Sequence, residues 1–176
     1  METIRKLLAL QIRENGISQS GYDSLEEKER KLLEEKGGKY YLLPKERRKL
    51  RVGLSGGVFD ILHAGHIFTL GEARKKCDFL AVVVASDEHI LKKGRKLVHS
   101  QEYRATMVEF LKPVDVAISG GKDFSQTLAR VNPDVIIYGY DQQQISIPPG
   151  VEIVKLEKHI EPEKLKSSKI IKELGL

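Results

Sequence analysis

Two histidines, His63 and His66, stand three positions apart in a glycine-containing turn of the chain. The turn follows a short apolar run over residues 52–55 and precedes residues 67–76, whose apolar side chains recur at the spacing of a helix. Both imidazoles are therefore predicted at a strand-to-helix turn, where the N-terminus of the helix favours an anion. Two imidazoles and free backbone N–H groups could bind a polyphosphate and stabilise the negative charge that develops on it.

Gly56 and Gly57 precede the histidines and carry no side chain that would keep a ligand from the backbone. A lone histidine is more often a structural residue, but a pair in such a turn favours a functional site. Zinc is the alternative, although a zinc site needs further ligands and the only cysteine, Cys77, falls on the apolar side of the predicted helix. The residues therefore favour phosphate chemistry.

Residues 56–66 read Gly-Gly-Val-Phe-Asp-Ile-Leu-His-Ala-Gly-His, which resembles the signature of the HxGH nucleotidyltransferases, especially their cytidylyltransferase-like branch. That branch includes glycerol-phosphate and phosphocholine cytidylyltransferases, heptose-phosphate adenylyltransferases and archaeal FAD synthases. The resemblance covers about residues 52–174, because further blocks follow in the family's order. It implies that Asp60 contacts the acceptor and that the nucleotide is bound by Gly56, Gly57, Val58, Phe59 and Gly65.

Two basic blocks follow the second predicted strand. The resemblance implies that Lys93 contacts the phosphate of the acceptor, with Lys92 beside it. It also implies that Arg104, in Gln-Glu-Tyr-Arg, faces the active site, where a guanidinium suits pairs of phosphate oxygens. Without the resemblance, the lysines would be read as an exposed loop and Arg104 as a surface residue.

A further block, Gly-Tyr-Asp-Gln at residues 139–142, follows the fourth predicted strand. It looks like the family's Gly-x-Asp block, which lies close to the base and ribose, and archaeal FAD synthases carry a similar Gly-x-Asp-Gln. The resemblance assigns Gly139 and Asp141 to the nucleotide, and we assign Tyr140 to the acceptor. On its own the block could be a simple turn.

The last block is Ser167-Ser168, which resembles the family's terminal Ser/Thr motif at the start of the final helix. The resemblance implies that these hydroxyls and the helix-start amides bind the β- and γ-phosphates. Lys166 stands where relatives have a hydroxylated residue, and the Arg that cytidylyltransferases place shortly before the motif is absent. Assignment of the substrate by analogy with cytidylyltransferases is weakened accordingly.

Apolar runs alternate with helical patterns from residue 52 onwards. Strands are predicted at 52–55, 79–85, 114–118, 135–138 and 151–155, and helices at 67–76, 101–111, 124–131 and 167–174. Near-continuous apolar strands joined by crossover helices predict an α/β fold with a Rossmann-like, parallel five-stranded sheet. Ligands bind such sheets at the carboxyl ends of the strands near the topological switch point, so the strand-end residues are the candidates.

Charge marks a boundary near Arg51. Residues 1–51 carry 13 basic and 9 acidic side chains, whereas residues 52–176 carry 17 and 16. We predict a basic helix-helix-strand module over 1–50, a small winged-helix-like appendage, before a nucleotidyltransferase domain over 51–176. Its second helix is predicted to be capped by Ser24 with Glu27 and to end at Gly37-Gly38. Such a module could contact nucleic acid, but we favour a packing or dimerisation role.

Composition sets the remaining expectations. A single cysteine fits a reducing cytoplasm, and neither a signal segment nor a membrane-length apolar run is found. The 31% of charged residues and the lack of Trp are typical of thermophiles. We expect a cytoplasmic homodimer that binds neither membrane nor nucleic acid.

These observations predict nucleotidyl transfer, in which His63 and His66 stabilise the pentacovalent phosphate. Transfer of AMP from ATP to the phosphorylated acceptor FMN, giving FAD, is preferred. The alternatives are cytidylyl or adenylyl transfer to a glycerol or heptose phosphate, with CTP or ATP as donor. From another class comes a nucleotide-sensing DNA-binding regulator. Mg²⁺ is expected to accompany the nucleoside triphosphate, with no metal ligands supplied by the protein.

Overall fold

The computed structural model describes residues 1–92, 96–143, 149–158, 160, 170 and 173. The chain divides into two compact units, Met1–Arg51 and Val52–Leu176. Within the described residues, no helix combines the length and the apolar character needed to cross a membrane.

The first unit pairs helices with a hairpin. Its elements are α1 (Glu2–Glu14), α2 (Gln19–Asp23), α3 (Glu27–Arg30), β1 (Leu33–Lys36), β2 (Lys39–Leu42) and α4 (Pro44–Arg47). The apolar side of α1 is buried, and β1 pairs with β2 in antiparallel fashion.

The predicted second helix was too long. Its helical part ends at Arg30, and the capping box is formed by Glu26 and Glu29 instead of Ser24 and Glu27. Gly37 and Gly38 both have positive φ angles, 60° and 76°, which is the backbone that a two-residue hairpin turn requires. The glycine pair therefore closes a hairpin and does not end a helix.

The second unit is built on one parallel sheet. Its strands are β3 (Val52–Gly57), β4 (Phe79–Val84), β5 (Val116–Ser119), β6 (Val135–Tyr138) and β7 (Glu152–Lys155). Its helices are α5 (Ala64–Arg74), α6 (Asp87–Leu91), α7 (Gln101–Glu109) and α8 (Phe124–Val131). The strand order is β5-β4-β3-β6-β7, and every pair is parallel, which confirms the predicted Rossmann-like α/β fold. The predicted helix over residues 167–174 lies almost entirely outside the described residues.

The strand order places the topological switch point between β3 and β6. From β3 the chain moves outward through β4 to β5, and it then returns to the other side of β3 to form β6 and β7. The central strands are apolar on both faces because helices flank such a sheet. The core cluster consists of Phe59, Leu70, Ala73, Leu80, Val82, Val84, Val108, Val135, Ile137 and Leu156.

Carboxylates lie at the amino ends of β3 and β4. Asp134 accepts a hydrogen bond of 2.6 Å from the backbone N–H of Val52, and Asp115 accepts one of 2.7 Å from Leu80. At the outer strand β5, the carboxylate of Glu109 accepts a hydrogen bond from the N–H of Ala117. Side chains thus satisfy backbone N–H groups at the starts of β3 and β4, Val52 being the first and Leu80 the second residue of its strand.

Candidate active site

The two histidines meet at the start of α5. His63 is the N-cap residue with an extended backbone and makes no side-chain capping hydrogen bond, and His66 lies in the first turn. Their rings stack with centroids 3.9 Å apart and planes 26° apart. In both rings Nδ1 is buried and has no hydrogen-bond partner within the described part of the chain. Buried polar atoms are normally paired, so these nitrogens are suited to a ligand.

Burial favours the neutral form of both imidazoles. Burial lowers the pKa of His63, and burial together with the nearby His63 lowers the pKa of His66 to about 4. An anion placed beside the rings would favour their charged forms and raise both pKa values. The pair is therefore poised to become more basic when a phosphate binds.

Phe59 supports His66 from the core. Its ring is 4% exposed, with a centroid 5.2 Å from that of His66, and its φ angle of 55° is unusual for a residue with a side chain. The contact of Phe59 with the nucleotide stays a prediction; in this conformation the ring is enclosed by the protein.

The two glycines before the histidines are required by packing. A Cβ on Gly57 would lie 2.9 Å from the ring of Phe59, and a Cβ on Gly56 would lie 2.7 Å from a methyl group of Val83. Packing against Val83 and Phe59 is therefore enough to explain why glycines stand at these two positions, without any ligand. Contacts of a nucleotide with the backbone of Gly56, Gly57, Val58 and Gly65 stay predictions.

The carboxylate of Asp60 is hydrogen-bonded within the protein. The residue is 2% exposed, and its carboxylate accepts hydrogen bonds from the N–H groups of Val98 (3.0 Å) and His99 (2.9 Å). The imidazole Nδ1 of His99 lies 2.7 Å from the carbonyl oxygen of Asp60. The acceptor contact by Asp60 stays a prediction; in this structure its oxygens hold the 98–99 segment beside the histidine turn.

Arg104, like Asp60, is hydrogen-bonded within the protein. Its side chain is 0% exposed and donates to the carbonyls of His99 (3.1 Å), Val58 (2.5 Å) and Ala85 (2.9 Å) and to the carboxylate of Asp87. A buried guanidinium must satisfy its donors, and three backbone segments do so here. The phosphate contact of Arg104 stays a prediction; in this conformation the residue joins the segments that surround the histidines.

The predicted basic loop is described only in part. Lys92 is exposed and forms an ion pair of 2.9 Å with Glu88, which also pairs with Lys122 at 3.1 Å. Lys93 lies outside the described residues, as do Ser167 and Ser168. Their proposed phosphate contacts, and that of Lys92, stay predictions.

The block after β6 borders the same end of the sheet. Gly139 is buried, Tyr140 is half-buried, and Asp141 is exposed. A Cβ on Gly139 would meet Thr69 and Gln142 at an ordinary distance of 3.6 Å, so the protein itself leaves room there. The roles of Gly139, Tyr140 and Asp141 in binding stay predictions.

In the described ranges, no group of three or more His, Cys, Asp or Glu side chains is arranged to hold a metal ion.

Known proteins match the region that carries this site. The family model for cytidylyltransferase-like proteins covers residues 54–173. The chain belongs to the cytidylyltransferase-like family. The match of this family begins within β3, so the histidine turn, Arg104 and the block after β6 all fall inside it, and the unit Met1–Arg51 falls outside it.

Several relatives in this family are named FAD synthase. The FAD synthase of Thermococcus onnurineus is 35% identical over 142 residues, which is 74% of this chain and 94% of the relative. That of Methanopyrus kandleri is 53% identical over 93 residues, covering 51% of this chain and 62% of the relative. The chain spans between three fifths and two thirds of the length of the first curated relatives that it matches.

A solved structure shares the fold. The lipopolysaccharide core biosynthesis protein from Thermoplasma volcanium superposes with a TM-score of 0.57 at 35% identity, covering 62% of this chain and 98% of that protein.

Two glutamines of the quoted blocks have roles that were not predicted. Gln142 bonds to Gly139 and Gly56, and Gln101 bonds to Val84 and Gly120. Each joins the carboxyl ends of two neighbouring strands of the sheet in this cytidylyltransferase-like chain. Both glutamines lie in blocks that resemble the family, but a motif does not show which backbone atoms a side chain will bond.

Proposed function

We propose that this protein is a nucleotidyltransferase that transfers AMP from ATP to FMN, forming FAD and releasing pyrophosphate. The stacked His63–His66 pair at the N-terminus of α5 is the observation that carries the proposal, because it places two unpartnered ring nitrogens beside the switch point of the sheet. The FAD synthases among the relatives support the choice of ATP and FMN.

The reaction needs no nucleophile from the protein. An oxygen of the FMN phosphate forms a bond to the α-phosphorus of ATP, and the bond from that phosphorus to the oxygen bridging to the β-phosphorus breaks. The bridging oxygen takes the electron pair and leaves as part of pyrophosphate. Negative charge grows on the oxygens around the α-phosphorus, so donors held in place there lower the barrier.

His63 and His66 would supply those donors. Their depressed pKa values favour neutral rings at pH 7 before a substrate binds. A bound triphosphate would raise these pKa values, and the rings would then donate charge-assisted hydrogen bonds to it. The N-terminus of α5 adds its dipole and backbone N–H groups.

Mg²⁺ would enter with the triphosphate and neutralise part of its charge. It usually keeps several waters and binds substrate phosphates, which suits a site whose described part offers no group of three His, Cys, Asp or Glu side chains for a metal ion. A homodimer in the cytoplasm remains our prediction.

One assay separates the possible reactions. The protein is incubated with Mg²⁺, ATP and FMN, and FAD is followed by chromatography together with release of pyrophosphate. CTP replaces ATP in a parallel reaction, and the variant His66→Ala serves as a control for contaminating enzymes. FAD that forms with the wild type, but not with the variant, is expected; no product from either nucleotide with any acceptor would refute nucleotidyl transfer.

A glycerol or sugar phosphate is the second candidate acceptor. The specific observation is that Phe59 and Tyr138 are buried, at 4% and 8% exposure, and therefore cannot stack on an isoalloxazine ring. Half-buried Tyr140 would have to provide that wall. Turnover of CTP with glycerol phosphate, without turnover of FMN, would select this candidate.

A further inference from the structure

The central strands β3 and β6 separate toward the end that carries the site. Their registered pairs are Gly53 with Val135 and Leu54 with Ile136. On its other side, β3 stays paired with β4 as far as Gly57 with Val84. The strands on either side of the switch point are thus held by backbone hydrogen bonds only in their first half.

Side chains join the two strands beyond that point. The hydroxyl of Ser55, itself 4% exposed, donates to the carbonyl of Ile137 at 2.9 Å. Further toward the site, Gln142 Oε1 accepts from the N–H of Gly139 at 2.8 Å, and its Nε2 donates to the carbonyl of Gly56 at 2.6 Å. A carboxamide is the side-chain group that can accept from one strand and donate to the other with adjacent atoms.

Both partners of Gln142 border residues of the site. Gly56 opens the turn that leads to His63 and His66, and Gly139 opens the block that contains Asp141. The bridge therefore fixes how far the histidine turn stands from the Gly139–Asp141 segment. It also engages one backbone donor and one acceptor at this end of the sheet.

We propose that Gln142 is a positioning residue that sets the gap between the ends of β3 and β6 to the width required by a nucleoside triphosphate. The inference rests on the proposed nucleotidyl transfer and deepens it, because it assigns nucleotide affinity to a residue that acts through two backbone groups. Loss of the bridge lets the two halves of the site move apart. A misplacement of about 1 Å can cost a reaction roughly 100-fold in rate, and poorer contacts with the nucleotide should lower its affinity as well.

Gln101 provides a matched control. Its Nε2 donates to the carbonyls of Val84 (2.9 Å) and Gly120 (2.8 Å), and it thereby joins the ends of β4 and β5. The residue type and the kind of bridge are the same, but these strands do not flank the switch point. Replacing either glutamine by Met keeps the approximate size and removes the hydrogen bonds.

The experiment compares ATP binding by Gln142→Met, Gln101→Met and the wild type, using calorimetry and thermal unfolding. We expect both variants to melt at slightly lower temperatures, with the Kd for ATP raised about 10-fold or more in Gln142→Met and less than about twofold in Gln101→Met. Equal ATP affinity of Gln142→Met and wild type, or equal losses in both variants, would overturn the inference.

A pH-dependent variant tests the hydrogen bonds themselves. In Gln142→Glu an ionised carboxylate would repel the carbonyl of Gly56, whereas the protonated form can donate to it. ATP affinity relative to wild type should therefore be low at pH 7.5 and recover toward pH 5. A ratio that does not change with pH would contradict a role for the bridge.

These measurements separate the inference from the proposed reaction. Wild-type protein that binds ATP but releases no pyrophosphate would refute the reaction only, and the Kd comparison would still decide the role of Gln142. Wild-type protein that binds neither ATP nor CTP would overturn both.

Discussion

His63 and His66 stack ring on ring with 3.9 Å between their centroids, and each keeps a buried Nδ1 without a partner in the described structure. At this distance a proton on one ring opposes a proton on the other, and the neighbouring His63 indeed contributes to the low pKa of His66. An anion between the rings and the start of α5 would relieve that opposition.

Replacing either histidine by Ala should lower turnover by about two to four orders of magnitude, because loss of one donor to a developing oxyanion costs roughly 2.7–4 kcal/mol. The melting temperature should stay close to that of the wild type. Exposed His89 on α6 offers a control, and His89→Ala should retain full activity. Near-normal turnover by a folded His66→Ala variant would contradict the catalytic role.

Acid should destabilise the protein through His66. Its pKa of about 4 in the folded state lies below the ordinary 6.5, so below pH 6.5 the unfolded chain binds the proton more readily. The contribution of His66 to the free energy of unfolding should therefore not change with pH above 6.5. It should then fall by roughly 2–3 kcal/mol as the pH approaches 4.

Urea unfolding at pH 7.5 and pH 4.5 measures this contribution as the difference between wild type and His66→Gln. The subtraction removes carboxylates that titrate in the same range. An equal loss of stability in both proteins would show that His66 is not the source.

Replacement by Ala should affect the stability of the protein at Gly56 but not at Gly139. Gly56→Ala brings a Cβ to 2.7 Å from Val83 Cγ1 and 3.0 Å from its carbonyl oxygen, so we expect a loss of about 1–3 kcal/mol of stability. Gly139→Ala meets ordinary contacts at 3.6 Å and should keep its stability. If Gly139 admits the nucleotide, its alanine variant should bind ATP more weakly in calorimetry; unchanged affinity would remove Gly139 from the binding site.

Arg104→Met should cost about 3–5 kcal/mol of stability, because it removes a buried cation and leaves Asp87 and three carbonyls without their donor. Arg104→Lys should not restore the loss, since an ammonium lacks the planar fork. Arg48→Met, at an exposed arginine, is the control for urea unfolding. An inactive Arg104→Met variant with wild-type stability would instead favour a phosphate contact.

The parallel sheet could be predicted because its inner strands β4 and β6 are apolar on both faces. For example, the run at residues 79–85 becomes β4, Phe79–Val84, with little change. The β1–β2 hairpin could not, because Leu33–Lys36 carries three charged residues and lies in a sequence with helical character. Pairing with β2 decides its conformation.

The histidine turn was predicted in place, whereas the environments of Asp60 and Arg104 were not. A charged side chain is expected at the surface unless its partners are known, and these partners are backbone groups of distant segments. The hydrogen bonds of Gln142 and Gln101 could not be predicted for the same reason. Sequence patterns thus identified the motif but not the bonds that hold it in place.

The hydrogen bond of Glu109 bears on whether the protein aggregates in concentrated solution. Its carboxylate engages the N–H of Ala117 on the outer strand β5, and the opposite outer strand, β7, carries exposed Glu152 and Lys155. Open strand edges recruit strands from neighbouring molecules unless they are blocked or charged. One edge strand of this sheet has an N–H group blocked by Glu109, and the other carries exposed charges, so both are poor templates for the growth of cross-β aggregates.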